Sequence, residues 1–163
     1  MILIGIGGNL PSAAGGPAKT CAAAIAEIEG RGIRVSTRSP WYETAPIPAS
    51  DQPWFVNGVV GVETQLGPED LLAQLHDIEA QFGRARTLAN AARPLDLDLL
   101  AYGDLVRTEA APLLPHPRMH TRAFVLLPLR DVAPAWTHPV SGLSVGALIA
   151  ALPPGQLIRP LKP

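Results

Sequence analysis

The sequence predicts an α+β fold with a ferredoxin-like βαββαβ core, in which helices flank an antiparallel sheet and a C-terminal extension follows. Three observations predict it. Hydrophobic residues alternate in some stretches and recur at helical spacing in others, in the order strand, helix, strand, strand, helix, strand. Proline and glycine mark the ends of the helical stretches. The length of 163 residues, with 47% hydrophobic residues and no internal repeat or linker, fits a single domain over residues 1–163.

The first half of the chain predicts three strands and one helix. Residues 1–7 alternate as a strand and end in a turn, and residues 17–29 carry apolar side chains at helical spacing. Residues 33–42 alternate and are predicted to form one strand, residues 46–53 form a loop, and residues 55–62 form the next strand. The order up to this point is β-α-β-β.

The second half predicts a helix, a strand and a largely irregular extension. A helix over residues 68–82 begins at a proline and places its apolar side chains on one stripe, formed by Leu71, Leu72, Leu75, Ile78 and Phe82. A strand follows from residue 96. Beyond residue 103 we expect a hairpin or loop, a short helix near residues 122–129 and a terminal helix around residues 144–151.

Composition and charge exclude several classes of protein. A net charge of −1 argues against bulk binding of nucleic acid or membranes, and no apolar run reaches the roughly 20 residues of a membrane span. The N-terminal residues lack the basic start and cleavage site of a signal peptide, so we expect a cytoplasmic protein. The one cysteine, Cys21, cannot form an internal disulfide and is expected to be buried. We expect a monomer that acts on small molecules.

Asp96 and Asp98 are the most informative residues in the sequence. They alternate with leucines, so on a strand both acids project from the same face, roughly 6–7 Å apart at the backbone. Like charges placed side by side cost folding energy unless a cation neutralises them, and hard oxygen ligands favour Mg²⁺. Guanidinium groups beside metal-binding carboxylates are typical of phosphoryl transfer, and Arg84, Arg86 and Arg93 precede the two acids. The alternative is a strand with one solvated face.

A second group of residues suits a flat heteroaromatic ligand. Thr44 and Asn57 offer polar groups for its edge, and they lie in the sequence near the apolar or aromatic residues Ile47, Trp54 and Phe55. An ordinary loop followed by the start of a strand has the same composition, and composition alone favours that alternative.

A third group contains two histidines. His116 and His120 are four residues apart, but Pro117 argues against the continuous helix that a zinc site of this spacing needs. Arg122 and His116 suit anion binding better. Arg118 and His120 are expected to be solvated.

These residues belong to motifs that occur along the chain in a fixed order. The motifs are Gly7-Gly-Asn-Leu10, Tyr42-Glu-Thr-Ala-Pro46, Phe55-Val-Asn57, the stretches 78–86 and 93–103, and Leu114-Pro-His116-Pro-Arg118 with Arg122-Ala-Phe124. Through them the chain resembles the 6-hydroxymethyl-7,8-dihydropterin pyrophosphokinases of folate biosynthesis. Each motif alone is weak, but so many in order are specific together.

The resemblance implies an activity and a set of site residues. The activity is transfer of the β,γ-pyrophosphoryl group of ATP to the pterin hydroxymethyl group, with release of AMP. Asp96 and Asp98 would hold two Mg²⁺ ions, and Arg84 and Arg93 would assist the phosphates as catalytic residues. The implied pterin-binding residues are Thr44, Ala45, Ile47, Phe55, Asn57 and Phe124. The implied ATP-binding residues are Glu79, Arg86, Leu99, His116 and Arg122.

The chain departs from the family pattern at two places. The family's Gly-Ser-Asn-Leu is Gly7-Gly8-Asn9-Leu10 here, and Asn90-Ala-Ala-Arg93 replaces a Trp-Gly-Pro-Arg stretch. A lid that uses tryptophan as a cover is therefore not expected. Two other function classes remain open: a metal-dependent nucleotidyl transferase that releases pyrophosphate, and a non-catalytic ferredoxin-like binding module whose acids are surface residues.

Overall fold

A computed structural model describes residues 1–83 and 91–162 of the chain. In these ranges the strands are β1 (Ile2–Gly8), β2 (Arg34–Arg38), β3 (Tyr42–Thr44), β4 (Phe55–Glu63), β5 (Asp96–Tyr102) and β6 (Ile158–Pro160). The helices are α1 (Pro17–Gly30), α2 (Pro68–Gln81), α3 (Ala123–Val132) and α4 (Val145–Ala150), with one turn of 3₁₀-helix at Met119–Thr121.

The strands form one antiparallel sheet in the spatial order β5-β1-β4-β3-β6. β2 also pairs with β4, along the part of β4 that β3 leaves uncovered. β2 and β3 together therefore occupy the place of a single strand beside β4. With α1 and α2 as the two crossover helices, the predicted ferredoxin-like fold class is confirmed.

The prediction of one continuous strand over residues 33–42 is wrong. β2 ends before Ser39, and Pro40 has no backbone N–H with which to continue the ladder. The Ser39 hydroxyl accepts a hydrogen bond from the Val59 amide at 3.0 Å, which takes the place of a regular strand contact. Trp41 packs over Gly58, where an added Cβ would lie 2.6 Å from the indole ring. The break between β2 and β3 thus lets the indole ring of Trp41 pack across β4 at Gly58.

The helices begin and end for reasons visible in the sequence. α1 and α2 start at Pro17 and Pro68, where a missing amide hydrogen costs nothing. The predicted helices near residues 122–129 and 144–151 are α3 and α4. α4 is shorter than predicted because Ser144 is its N-cap, with its hydroxyl accepting from the Ala147 amide at 3.1 Å. No helix in the described residues is both long and apolar enough to cross a membrane.

The sheet separates two hydrophobic cores, and this separation places the acids. Leu97 and Leu99 of β5 enter the core beneath α1 and α2, whereas Leu100 enters the core beneath α3 and α4. Asp96 and Asp98 alternate with the first two leucines and line a cavity on the opposite face, beneath α3. In the predicted stripe of α2, the residues that are fully buried are Leu71, Leu75 and Ile78, while Leu72 and Phe82 are partly exposed.

β6 has no counterpart in the sequence prediction. It is three residues long and ends in Pro160, so alternation could not reveal it. It pairs with β3 and becomes the edge of the sheet, which brings the C-terminal region next to the loop that follows β3.

The close approach of Gly8 to the neighbouring loop predicts a large effect of a small substitution. A Cβ on Gly8 would lie 2.2 Å from the Pro94 carbonyl oxygen, and this backbone atom cannot turn away. We expect Gly8→Ala to lower the free energy of unfolding by about 1–3 kcal/mol. At Gly30 an added Cβ meets nothing within 4 Å, so Gly30→Ala should raise the free energy of unfolding by about 0.5–1 kcal/mol. Urea unfolding of both variants checks this, and equal stabilities would contradict the close contact.

Candidate active site

A cavity of about 820 Å³ opens on the α3 face of the sheet. β1, β4 and β5 supply its floor, and β3 with the loop that follows it supplies one wall. The start of α3 supplies a second wall, and the C-terminal residues 153–157 supply a third. The cavity therefore combines segments that are far apart in the sequence.

Two glycines of β1 keep the floor open in front of the acids. In the antiparallel register, Gly5 is opposite Asp98 and Gly7 is opposite Asp96. A Cβ on Gly7 would lie 2.2 Å from the Asn57 Oδ1 atom, so any side chain there would collide with the cavity lining. Both carboxylates and both glycines line the same cavity. The prediction that the two acids share one face is confirmed.

Arg93 lies between the acids and the loop that precedes them. Its side chain is largely buried, and its Nη1 donates to Asp96 Oδ2 at 3.3 Å. Its Nε donates to the Ala91 carbonyl oxygen at 2.9 Å. The guanidinium is thus held beside one carboxylate in the same cavity, where it partly offsets the repulsion between the acids.

Asn9 holds the two loops at the rim of the cavity, a role that the sequence analysis did not assign. Its side chain is 2% exposed. Its Oδ1 accepts from the Arg93 amide at 2.9 Å, and its Nδ2 donates to Gln52 Oε1 at 3.1 Å and to the Pro53 carbonyl oxygen at 3.0 Å. The sequence signals were the position of Asn9 in the turn after β1 and its place in the motif Gly7-Gly-Asn-Leu10. Because the buried Asn9 amide bonds to both loops, it fixes the backbone of each of them.

Thr44 and Asn57 form a buried polar pair on the opposite side of the cavity from the acids. Asn57 Nδ2 donates to Thr44 Oγ1 at 2.7 Å. This bond uses one of the two N–H donors of the amide and fixes its orientation, and Asn57 lines the cavity, where its Oδ1 can accept from a ligand edge. The other residues predicted to bind the pterin also line this cavity, namely Ala45, Ile47, Phe55 and Phe124.

Arg122 lies at the N-cap of α3, with its Cζ atom 5.3 Å from the centroid of the Phe124 ring. Burial lowers the pKa of Arg122, and the charge of Arg118 lowers it further, whereas Asp98 and Asp96 raise it. The guanidinium still carries its charge, because arginine remains protonated in proteins. It supplies a half-buried positive charge across the cavity from the two carboxylates.

His116 is neutral in this setting. Burial lowers its pKa to about 4, and the charges of Arg122 and Arg118 lower it as well, while Asp96 raises it. Its Nδ1 accepts from the Arg118 amide at 3.2 Å, so the neutral ring carries its proton on Nε2. His116 therefore offers a hydrogen-bond donor without adding a charge. Arg118 is exposed as expected, but it also lines the cavity, which the sequence analysis did not predict.

A second cavity of about 250 Å³ adjoins the first and shares Asp96, Asp98 and His116 with it. Glu79 and Leu99, both predicted to bind ATP, line this smaller cavity. Glu79 is 2% exposed, and its Oε2 accepts from the Leu97 amide at 2.9 Å. Its carboxylate therefore also fixes the beginning of β5.

Two residues singled out in the sequence, Trp54 and Cys21, line neither cavity. Trp54 does not line the cavity, and the Arg159 guanidinium lies 4.7 Å from its ring centroid. Cys21 is fully buried as expected, and burial raises the pKa of its thiol to about 12. Arg84 and Arg86 lie outside the described residues. The other predicted site residues line one or both cavities.

Comparison with known proteins gives consistent matches. A family model described as 7,8-dihydro-6-hydroxymethylpterin-pyrophosphokinase (HPPK) matches residues 3–134. The chain is 40% identical to a 2-amino-4-hydroxy-6-hydroxymethyldihydropteridine pyrophosphokinase of Synechocystis sp. over 149 residues, which cover 90% of this chain and 73% of that protein. It is 38% identical to the folic acid synthesis protein fol1 of Pneumocystis carinii over 146 residues, 90% of this chain. The chain spans only 19% of that longer protein.

A solved structure shows the same fold. The Plasmodium falciparum HPPK-DHPS triple mutant with SDX-DHP superposes with a TM-score of 0.69 at 15% sequence identity. The match covers 91% of this chain and 43% of that one.

The lowered pKa of His116 predicts a specific titration. We expect its imidazole to titrate near pH 4 in the folded protein, against 6.5 for an ordinary histidine. The unfolded chain then takes up a proton at a higher pH than the folded chain. The stability that His116 contributes is therefore complete above about pH 6.5 and is lost as the pH falls towards 4.

NMR of the ring C–H signals checks this expectation, with His116→Gln to assign the signal and His120→Gln as an exposed control. A midpoint above pH 6 for His116 would contradict the burial argument.

Proposed function

The chain belongs to the 7,8-dihydro-6-hydroxymethylpterin-pyrophosphokinase family, and we propose that it transfers pyrophosphate from ATP to the hydroxymethyl group of 6-hydroxymethyl-7,8-dihydropterin, releasing AMP. This reaction is a step of folate biosynthesis. One observation carries the proposal at the level of the site: a single cavity holds the paired acids Asp96 and Asp98 and, across from them, the Thr44–Asn57 polar pair. Such a cavity can hold phosphates at one side and a flat ring at the other.

The pterin binds at the Thr44–Asn57 side of the cavity. Asn57 Oδ1 accepts a hydrogen bond from the ring edge, because the bond from Nδ2 to the Thr44 hydroxyl holds the amide in one orientation. Phe55 and Phe124 supply aromatic surface from two different walls, and Ala45 and Ile47 supply apolar contacts. The hydroxymethyl group of the bound pterin then points towards the acids.

Asp96 and Asp98 fit Mg²⁺ in donor type and in number. Mg²⁺ is usually held by one or two carboxylates together with phosphate oxygens and water, rather than by a cage of protein ligands. No group of three or more histidine, cysteine or carboxylate side chains suited to a metal is found in the described part of the chain, so the remaining ligands come from ATP and water. Two Mg²⁺ ions bound there would neutralise phosphate charge and favour attack by the hydroxyl.

Arginine and histidine side chains bind the phosphates. Arg93, beside β5, and Arg122, at the start of α3, both line the cavity and neutralise charge on the transferred group. Neutral His116 donates its Nε2 proton to a phosphate oxygen and, being uncharged, does not repel the nearby arginines. Arg84 and Arg86, outside the described residues, are proposed to act on the phosphates and in the nucleotide pocket, respectively.

The nucleotide occupies the smaller cavity beside the acids. Leu99 offers an apolar surface there, and Glu79 offers a carboxylate held by the Leu97 amide. Because this cavity shares Asp96, Asp98 and His116 with the larger one, a nucleotide bound in it has its phosphates directed at the acids. ATP and the pterin therefore meet at β5.

The chemical step moves one group between two oxygens. The hydroxyl oxygen of the pterin forms a bond to the β-phosphorus while the bond from that phosphorus to the α,β-bridging oxygen breaks, and the electron pair leaves with AMP. Asp98 is our proposed acceptor of the hydroxyl proton. Positioning and charge neutralisation supply most of the rate acceleration in reactions of this class. We further propose a monomeric enzyme that acts in the cytoplasm.

Product identification tests the function directly. Incubation of the protein with ATP, Mg²⁺ and 6-hydroxymethyl-7,8-dihydropterin should yield AMP and pterin pyrophosphate. We expect Asp96→Asn and Asp98→Asn each to lower the rate by about 10²–10³-fold, because each removes charge where phosphate charge must be balanced. Asp104→Asn, in an exposed turn after β5, serves as the matched control.

Two outcomes of that assay would favour the alternatives. Release of pyrophosphate instead of AMP indicates a nucleotidyl transferase that cleaves at the α-phosphorus. Ligand binding that is unchanged in both aspartate variants, together with no product, indicates a non-catalytic binding module.

Arg93 gives a separate prediction. Arg93→Ala should slow the chemical step by about 10–100-fold and leave pterin affinity nearly unchanged, because the guanidinium lies beside Asp96 while the loop backbone stays bonded to Asn9. Rapid-quench single-turnover kinetics and equilibrium binding measure the two effects. Arg34→Ala, which removes an exposed pair with Glu63, is the control. An unchanged single-turnover rate would reject the assigned role.

A further inference from the structure

The third wall of the cavity is a short C-terminal segment, the C-terminal strap, residues 153–157. It lies beyond residue 134, where the family match ends, and no motif in the sequence pointed to it. Each of its five residues lines the cavity. It therefore belongs to the site by position.

Gln156 connects the strap to the beginning of α3 through both ends of its side-chain amide. Its Oε1 accepts from the Ala123 amide at 2.8 Å, and its Nε2 donates to the Thr121 carbonyl oxygen at 2.9 Å. A third, longer contact of 3.4 Å runs from Nε2 to the Pro153 carbonyl oxygen within the strap. The Gln156 side chain therefore holds the strap against the beginning of α3.

This contact replaces a helix cap that the local sequence does not provide. The first amides of a helix have no acceptor within the helix. The N-cap of α3 is Arg122, which makes no capping hydrogen bond with its side chain. Gln156 Oε1 supplies the acceptor for Ala123, the first residue of the helix, from 33 positions away. The direction in which Arg122 and Phe124 leave the backbone depends on that first turn.

The other end of the strap is bonded to the opposite wall. The Ala45 amide donates to the Leu157 carbonyl oxygen at 3.0 Å, and β6, which follows, pairs with β3. Gly155 has φ +88°, a conformation that side chains other than glycine rarely adopt, so the turn of the strap is specified by this residue. The strap therefore spans the distance between the segment of Thr44–Ala45 and the start of α3.

We propose that Gln156 is a positioning residue for pterin recognition, which sets the spacing between Phe124 on α3 and the Thr44–Asn57 pair. Phe124 and Thr44 belong to separate walls, and the strap joins these walls through hydrogen bonds at both of its ends, while Thr44 is bonded to Asn57 on the floor. A flat ring needs its stacking surface and its edge acceptor at one fixed separation. The inference rests on the proposed function, because it assigns the pterin to this part of the cavity.

The test compares Gln156→Ala and Gln156→Glu in the full chain, with Gln74→Ala as the control. Gln74 also accepts a hydrogen bond from a distant residue, Arg31, but it does not line either cavity. We expect Gln156→Ala to raise the KM for the pterin about five- to tenfold. A change of this size corresponds to the loss of one or two hydrogen bonds. The KM for ATP should change less than that for the pterin, since Arg122 is the one proposed phosphate-binding residue at this helix start, and the acids, Arg93 and His116 are not touched.

Gln156→Glu keeps the acceptor for Ala123 but cannot donate to Thr121. Its pterin KM should lie between those of the wild type and Gln156→Ala. Amide hydrogen exchange at Ala123 should accelerate in the alanine variant and remain slow in the glutamate variant. The control should match the wild type in both KM values and in exchange at Ala123.

The possible failures can be told apart. A lower melting temperature with an unchanged pterin KM would show that the Gln156 contacts are only structural and would overturn the proposal. A larger change in the KM for ATP than in that for the pterin would overturn it as well. If the wild type itself forms no AMP, the proposed function fails, while exchange at Ala123 still reports whether Gln156 caps α3.

Discussion

The antiparallel register between β1 and β5 is the constraint on which the site depends. It places Gly5 and Gly7 beside Asp98 and Asp96, so that no side chain of β1 at these two positions covers the carboxylates. A slip of one residue would turn both acids into the core under α1 and α2 and would expose the leucines between them. The hydrophobic cores on the two faces prevent that slip, and they thereby fix the chemistry of the cavity.

The loops around this floor are held by side-chain amides in addition to the pairing of β3. Asn9 ties the loop before β4 to the loop before β5, and Gln156 ties the C-terminal strap to α3. Asn9 uses its donor and its acceptor on two different loops, whereas Gln156 uses both on the stretch that begins α3. Such contacts fix loops that could not bury enough apolar surface to order themselves.

The sequence predicts the parts of the fold that depend on local pattern. Alternation and helix boundaries located β1, β4, α1 and α2, and the leucines of β5 correctly placed Asp96 and Asp98 on one face. The prediction failed where a single residue overrides the pattern, as Pro40 does in the strand over residues 33–42. It also could not find Asn9, Gln156 or β6, because their roles arise from contacts between distant positions that no periodicity records. Arg118 was placed at the surface correctly, but its part in the lining depends on how the chain turns after His116.

β6 has a consequence for solubility as well as for shape. Without it, β3 would be the margin of the sheet, with free backbone groups that can recruit a strand from another molecule. β6 covers that margin, and it is itself a poor template because it is only three residues long, ends in a proline and carries the charged, exposed Arg159. The strand that directly follows the third cavity wall therefore also protects the protein against aggregation through its sheet.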